Sequence, residues 1–332
     1  MRVGLDVTPL TLTKAGVARH IAGLLSGLEG EPDLEVHRYS FGGHGRAVVP
    51  VRDVGWYLAA LPAEARRDRV DVLHCPSQRA PVRSPVPLVV TIHDLAVLRH
   101  PETFNRWTRT YSRLVLPHVV RAASRVITGS EFTRGELAEL LDVPEDKVRV
   151  IPYAVGPPFE PEGRAAEGDY VLAVGTLEPR KNLDRLVRAF ERAGLNGTRL
   201  LFTGARGWGN VEPAGEHVEW LGFVPDEELA RLYRGARCVA YVSTYEGFGF
   251  PVLEAMACGA PVVAARTGPA PEVADDAAVL VDPLDDDAIA AGLVEAIDRA
   301  DELRERGLAR ARDFDWRLVA QETVEVYREV AR

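Results

Sequence analysis

Residues 237–265 read RCVAYVSTYEGFGFPVLEAMACGAPVVAA. The opening RCVAYVS has the length and apolar content of a buried strand, and the closing PVVAA (261–265) reads as a second. Between them PVLEAMAC (251–258) reads as a helix. The turn YEGFGF (245–250) leads into it. Its glycines let the backbone approach a ligand closely, and Pro251 suits the start of a helix because its missing N–H has no partner there anyway. Strand, helix and strand in so short a segment make a parallel βαβ unit. Two carboxylates, Glu246 and Glu254, bracket its turn.

The same alternation extends in both directions. Upstream, MRVGLDV (1–7), VDVLHC (70–75), PLVVTIH (87–93), RVITGS (125–130) and VRVIPYAV (148–155) read as strands, with helices at VARHIAGLLSGL (17–28) and FTRGELAELL (132–141). GPPFEPEGRAAEGD (156–169) is rich in Pro, Gly and acid, has no periodicity, and reads as a linker. The pattern restarts with the strand YVLAVGT (170–176), the helix NLDRLVRAFERAG (182–194), the strand TRLLFTG (198–204) and the helix EELARLYRGA (227–236). After VLVDP (279–283) the tail from Leu284 reads as helical nearly to Arg332. The expected fold class is α/β, with two Rossmann-like doubly wound domains in tandem, residues 1–160 and 161–313, and a closing segment 314–332. In such sheets ligands bind beyond the carboxyl ends of the strands, and facing domains make a cleft.

Bulk properties agree with two globular domains. The chain has 332 residues, 46% of them hydrophobic and 27% charged. A net charge of −9 argues against nucleic-acid binding. Three cysteines, Cys75, Cys238 and Cys258, show no metal-type spacing and, being odd in number, no disulfide framework; a reducing cytoplasmic setting is expected. The N-terminal run lacks a signal-peptide layout, and no stretch approaches the ~18 apolar residues of a membrane span. A dinucleotide dehydrogenase would carry G-x-G-x-x-G after an early strand. Here TPLTLTKAGVARH (8–20) holds a single glycine, and in GFGFPV the third glycine position is Val252.

Two strand-to-helix turns suggest a phosphate site. At YEGFGF the N–H groups of Val252 and Leu253 are expected to point out of the helix start, where the dipole favours an anion. The carboxylates would repel that anion, so they read as acceptors for hydroxyl groups on either side of it. A plain alternative makes Glu246 a turn residue and Glu254 a helix-dipole partner. The second turn, TLEPRKNL (176–183), sets Arg180 beside Lys181. Two cations there can neutralise a diphosphate leaving group without a metal ion, although most basic pairs are only solvated.

These residues carry a resemblance. YEGFGFPVLEAMACGAPVVAA resembles the E-x7-E segment of the GT4 family of retaining glycosyltransferases, which have the GT-B fold. VGTLEPRKNLDRLVRAF resembles that family's donor-phosphate segment. VTIHDLAVLRHPETF, GSEFTRGEL, VRVIPYAV, GFVPDEEL and FDWRLVAQETVEVYREV match further blocks in order, so the likeness covers nearly the whole chain.

It implies that Arg180 and Lys181 hold the donor diphosphate, Glu254 accepts from the ribose hydroxyls, and Glu246 binds hydroxyls of the transferred sugar. Backbone from Phe248 through Gly249, Phe250 and Val252 to Leu253 would serve sugar and phosphates, and Gly222, Phe223 and Val224 the base. Gly16 would lie near the phosphates and the acceptor. The main chain of His93 would face the anomeric centre, making His93 catalytic with Glu246, Arg180 and Lys181. The closing helix around Trp316 would pack on the first domain.

The implied reaction is transfer from a nucleotide-diphosphate sugar, with GDP-mannose favoured over UDP-sugars. The acceptor would be a hydroxyl of a glycan, lipid-linked or small-molecule partner. Neither a metal nor another cofactor is expected, and the donor phosphate would take the acceptor proton. A nucleotide-sugar epimerase or a non-catalytic nucleotide-sugar-binding subunit of the same fold remains the alternative.

The sequence departs from the family at Thr176, where many members have arginine after the glycine. It departs again at GVARH (16–20), where Ala18 replaces a glycine and His20 an aromatic. His74 and Asp94, also near strand ends, could be purely structural. On the acceptor side, residues 99–125 hold six arginines against one acid, Glu102. Arg106, Arg109 and Arg113 would share a face of a helix. With Trp107 and Tyr111 among them they could meet an anionic membrane surface or a phosphorylated acceptor.

Overall fold

Continuous apolar runs become strands buried on both faces, as parallel sheets require. The computed structural model describes residues 1–12, 16–42, 48–207 and 214–332; residues 13–15 of the first loop lie outside it. The chain forms two compact units, Met1–Ala154 with Asp315–Arg332, and Val155–Phe314.

Unit 1 is built on six parallel strands: β1 (Arg2–Asp6), β2 (Glu35–Tyr39), β3 (Val72–Cys75), β4 (Leu88–Thr91), β5 (Arg125–Thr128) and β6 (Val148–Val150). Their order is β2-β1-β3-β4-β5-β6. Register is fixed by pairs such as Val3 with Val72 and Val90 with Val126. Two features were not legible. β2 (EVHRY) is an edge strand, and Val48–Arg67 is helical throughout, with a wide-turned stretch at Val51–Ala60. That stretch buries Trp56 and Tyr57 in the core beside Leu61, Leu73 and Val90.

Unit 2 repeats the plan with β7 (Tyr170–Val174), β8 (Arg199–Thr203), β9 (Val218–Trp220), β10 (Cys238–Tyr241), β11 (Val262–Ala265) and β12 (Val279–Val281). The order is β12-β11-β10-β7-β8-β9, all parallel. Strand order reverses between β7 and β10 here, and between β1 and β3 in unit 1. Ligands bind at such switch points, beyond the strands' carboxyl ends.

Side-chain caps start several helices where the sequence supplies them. Ser130 accepts from Thr133 N at 3.1 Å, Asn105 from Thr108 N at 2.9 Å, and Asp285 from Asp287 N and Ala288 N. The tail is three helices, Asp286–Asp298, Ala300–Ala311 and Trp316–Val330, broken before Asp315, which caps the last one.

That last helix belongs to unit 1. Its Trp316 lies so close to the helix Gly16–Leu28 that a Cβ at Gly23 would sit 2.1 Å from the indole. The segment read as a linker is irregular but fastened to unit 2. Arg234 donates to the carbonyls of Pro158, Glu160 and Arg164, Ala166 N donates to Arg231 O, and Phe159 packs against Tyr233.

Candidate active site

In unit 2 the turns after β7 and β10 meet at the switch point. Arg180 and Lys181 lie on a single tight turn, Pro179–Lys181, and Glu246 lies in the turn after β10. Backbone stitches join the two. Thr244 N donates to Arg180 O at 2.8 Å, and the Asn182 amide donates to Val242 O at 3.1 Å. Arg180 Nη1 donates to Glu246 Oε2 at 2.8 Å and to Tyr245 O at 3.1 Å, while its Nε donates to Glu178 at 2.8 Å. Lys181 Nζ donates to the other oxygen of Glu246. Thus both cations grip one carboxylate.

Their electrostatics follow from burial and proximity. Burial opposes ionisation of Glu246, but Lys181 and Arg180 together outweigh it and hold its carboxyl down to about 2. Burial pushes the Lys181 ammonium down, against the pull of Glu246. Tyr241, whose ring lies 5.4 Å from Lys181 Nζ, is pushed well up by burial and by the Glu246 charge.

Glycines make room for this cluster. Gly175 and Gly204 both take positive φ (153° and 147°). A Cβ on Gly175 would lie 3.0 Å from Lys181 Cε, and one on Gly204 only 2.0 Å from the Gly175 carbonyl oxygen. Any side chain at either place would displace Lys181 or split β7 from β8.

The helix Phe250–Ala257 starts from Gly249, whose φ is 109°. Its first turn corrects one expectation: Val252 N and Leu253 N do not face outward as free donors. Both donate to Gly249 O, at 3.0 and 3.4 Å, closing the helix on itself. Phe248 is buried, packed edge-on against Phe250 and near Phe314. Glu254 is wholly buried, and its Oε2 accepts from the Tyr233 hydroxyl at 2.9 Å, a partner on the helix Asp226–Gly235 that sequence spacing did not reveal.

Gly222, with φ 73°, accepts at its carbonyl from Gly204 N and the Thr203 hydroxyl at the end of β8. This leaves Phe223 exposed and Val224 half-buried. Among the described residues no group of His, Cys, Asp or Glu is arranged to hold a metal ion, and the three cysteines are free and buried.

In unit 1 the switch point opens into a cavity of about 320 Å³. Pro9 and Val17 come from the β1 side, Ser77 and Arg79 from beyond β3, His93 and Asp94 from beyond β4. His93 Nε2 lies 3.1 Å from Pro76 O, and its ring meets those of His20 and Tyr153. Burial pushes His93 below its ordinary range. Gly16 opens the helix Gly16–Leu28. His20 lies in that helix, as its sequence suggests, and is 2% exposed, packed on His93, Tyr153 and Trp316.

The basic segment is a helix, Arg106–Ala122, with Arg106, Arg109 and Arg113 all exposed. Its aromatics both reach Asp53: the exposed Trp107 donates from Nε1 to Asp53 Oδ2 at 2.9 Å, and the buried Tyr111 donates to Asp53 O at 3.0 Å. No helix of the described residues is long and apolar enough to cross a membrane.

Comparison with known proteins now decides the family. Residues 159–314 match the family described as Glycosyl transferases group 1, and residues 11–157 match Glycosyltransferase Family 4. The chain belongs to the group 1 (GT4) glycosyltransferases. The O-antigen chain mannosyltransferase B of Escherichia coli is 35% identical, over 72% of this chain and 70% of that protein. The D-inositol 3-phosphate glycosyltransferase of Acidothermus cellulolyticus is 30% identical, over 85% and 72%. The solved sucrose-phosphate synthase of Thermosynechococcus elongatus superposes with a TM-score of 0.78 at 19% identity, covering 99% of this chain and 98% of its own. The last likeness speaks for the GT-B fold. This glycosyltransferase is therefore a hexosyltransferase whose two sheets each present a switch point.

Proposed function

We propose that this glycosyltransferase moves a mannosyl group from GDP-mannose to an acceptor hydroxyl, with retention at the anomeric carbon and without a metal ion. The observation that carries the reading is the Arg180–Lys181–Glu246 cluster at the switch point of the second sheet. The name of the E. coli relative supports mannose as the sugar. Arg180 and Lys181 offset the charge that builds on the departing diphosphate, the role preorganised cations serve best in a water-poor site. A carboxyl held at about 2 carries no proton at neutral pH, so Glu246 serves as an acceptor for sugar hydroxyls and not as a general acid. Its worth lies in orientation.

In this scheme the bond from the anomeric carbon to the diphosphate oxygen breaks and its electron pair leaves with the phosphate. The acceptor oxygen bonds to that carbon on the same face, and its proton passes to the donor phosphate. His93 lends its main chain, Gly16 stands by the phosphates, Glu254 accepts from the ribose, and the backbone at Gly222, Phe223 and Val224 meets the base. The enzyme works in the cytoplasm, with Arg106, Arg109 and Arg113 resting on an anionic membrane surface.

The test is Glu246→Ala, measured with EDTA present throughout. The variant is expected to keep the rise in melting temperature that GDP gives the wild type, because bound ligand stabilises the native state by RT ln(1 + [L]/Kd). Its transfer rate falls by roughly 100-fold or more, the cost of lost positioning. Full turnover by the variant sinks the role of Glu246, and a wild-type shift with UDP but not GDP sinks the donor.

A further inference from the structure

The wide-turned helix of unit 1 is built inside out. Residues 48–60 read VVPVRDVGWYLAA, and the two charged residues among them, Arg52 and Asp53, are buried. Asp53 Oδ1 accepts from Arg52 Nε at 2.9 Å, so this pair is satisfied inside the protein. The exposed residues are Pro50, Val51, Val54, Gly55 and Ala59. Val51 is 58% exposed and Val54 49%. A surface helix ordinarily turns its charges out and its apolar side chains in.

The basic helix Arg106–Ala122 is fastened to this stretch by Trp107 and Tyr111, which both donate to Asp53. At about 3.6 residues per turn, Trp107, Thr110 and Leu114 share one stripe of that helix, and Arg106, Arg109 and Arg113 the stripe beside it. Trp107 is 39% exposed and Leu114 63%. Among the described residues of the two segments no acidic side chain is exposed. Apolar side chains therefore stand at the surface with charge of one sign beside them. Contiguous exposed apolar groups of this kind mark an interaction site.

Charge decides the partner. A second copy of the chain, docked by two-fold symmetry, would bring arginine toward arginine. An anionic bilayer takes both halves of the surface. Its phosphate headgroups meet the guanidinium groups, and the boundary of its acyl chains takes the apolar side chains, a depth that suits tryptophan.

We propose that Val51, Val54 and Trp107 insert past the headgroups of an anionic bilayer while Arg106, Arg109 and Arg113 pair with its phosphates. The inference rests on the membrane reading given above and adds to it a second, apolar contact on a different helix. Binding then scales with buried apolar area as well as with charge, and loss of either contact weakens it.

The full-length protein is mixed with phosphatidylcholine–phosphatidylserine vesicles at about 0.1 M salt, and binding is measured by co-sedimentation. Val51→Ser with Val54→Ser is expected to weaken binding at least ~10-fold, with the wild-type melting temperature retained, because both changes lie at the surface. A second measurement reads depth independently of those variants. Vesicles whose acyl chains carry bromine should quench part of the wild-type tryptophan fluorescence, and Trp107→Phe should remove that part. Wild-type binding with neither effect means adsorption by charge alone; it overturns the insertion and leaves the membrane reading standing. No wild-type binding at all overturns both. A concentration-dependent dimer that Val51→Ser with Val54→Ser abolishes would make this face a contact between copies and would also overturn the proposal.

Discussion

His74 makes unit 1 sensitive to acid. It lies at the end of β3, wholly buried, with Nδ1 2.6 Å from the Tyr327 hydroxyl and Nε2 2.9 Å from Thr91 Oγ1. Burial, reinforced by nearby His93, pushes its imidazole down to about 3. In the unfolded chain the same ring takes a proton near 6.5. Between those values the unfolded state binds more protons than the native one, so stability falls as pH falls. The loss begins below about pH 6.5 and is complete only below about 3. At pH 5 the difference amounts to about 2 kcal/mol from His74 alone, since each unit of displacement is worth about 1.4 kcal/mol. Burial pushes His20 and His93 in the same direction, and they add to the loss.

The assay is urea denaturation of unit 1, followed by tryptophan fluorescence at pH 7 and pH 5, for the wild type and His74→Asn. The substitution has its own cost, but that cost cancels in the pH difference. The wild type is expected to lose about 2 kcal/mol more than the variant between the two pH values. Equal losses in the two proteins would show that His74 titrates alike in both states, and the burial argument would fail.

Two further outcomes follow from side-chain partners. Tyr233→Phe removes the hydroxyl that serves the buried Glu254 carboxylate. It is expected to lower stability by about 0.5–1.5 kcal/mol in thermal denaturation, the net contribution of one hydrogen bond; a neutral result would show that this contact adds nothing to stability. If Arg106, Arg109 and Arg113 rest on an anionic surface, changing all three to Ser should abolish co-sedimentation with phosphatidylserine vesicles at about 0.1 M salt, and undiminished binding would remove the membrane reading.

Legibility of the fold followed solvation. Central strands such as β4, β7 and β10 are covered on both faces, so their sequences are unbroken apolar runs. β2 and β9 are sheet edges. EVHRY and VEW carry charged residues that face water, and nothing in them distinguishes a strand from a loop. The helical stretch Val48–Arg67 was hidden by Asp53 and Arg52, charges that normally mark a surface. They are buried here because they satisfy each other and because Trp107 and Tyr111 close over them. The arginine-rich helix was legible as a basic face, but its aromatics were not legible as struts for that buried pair.

The donor-side cluster shows why residue types are easier to read than their pairings. Arg180, Lys181 and Glu246 each stand in a recognisable strand-to-helix turn, and each side chain suggests a role alone. Their contact depends on β7 lying beside β10, an adjacency produced by the reversal of strand order and invisible in local periodicity. Contact changes the chemistry. An isolated glutamate in such a turn would titrate near its ordinary value and could be imagined as an acid. Gripped by two cations it stays ionised through the working pH range, so only acceptor roles remain open to it. The Val252 and Leu253 amides fail in the opposite sense. A helix start suggests free donors, but Gly249 in the left-handed region brings its carbonyl under both and uses them up. With those amides spent, the proposed leaving phosphate would depend on Arg180 and Lys181, and both are already bound to Glu246. Under the proposed function, a diphosphate entering there would have to share its cations with that carboxylate, which would tie the seating of the leaving group to the orientation of Glu246.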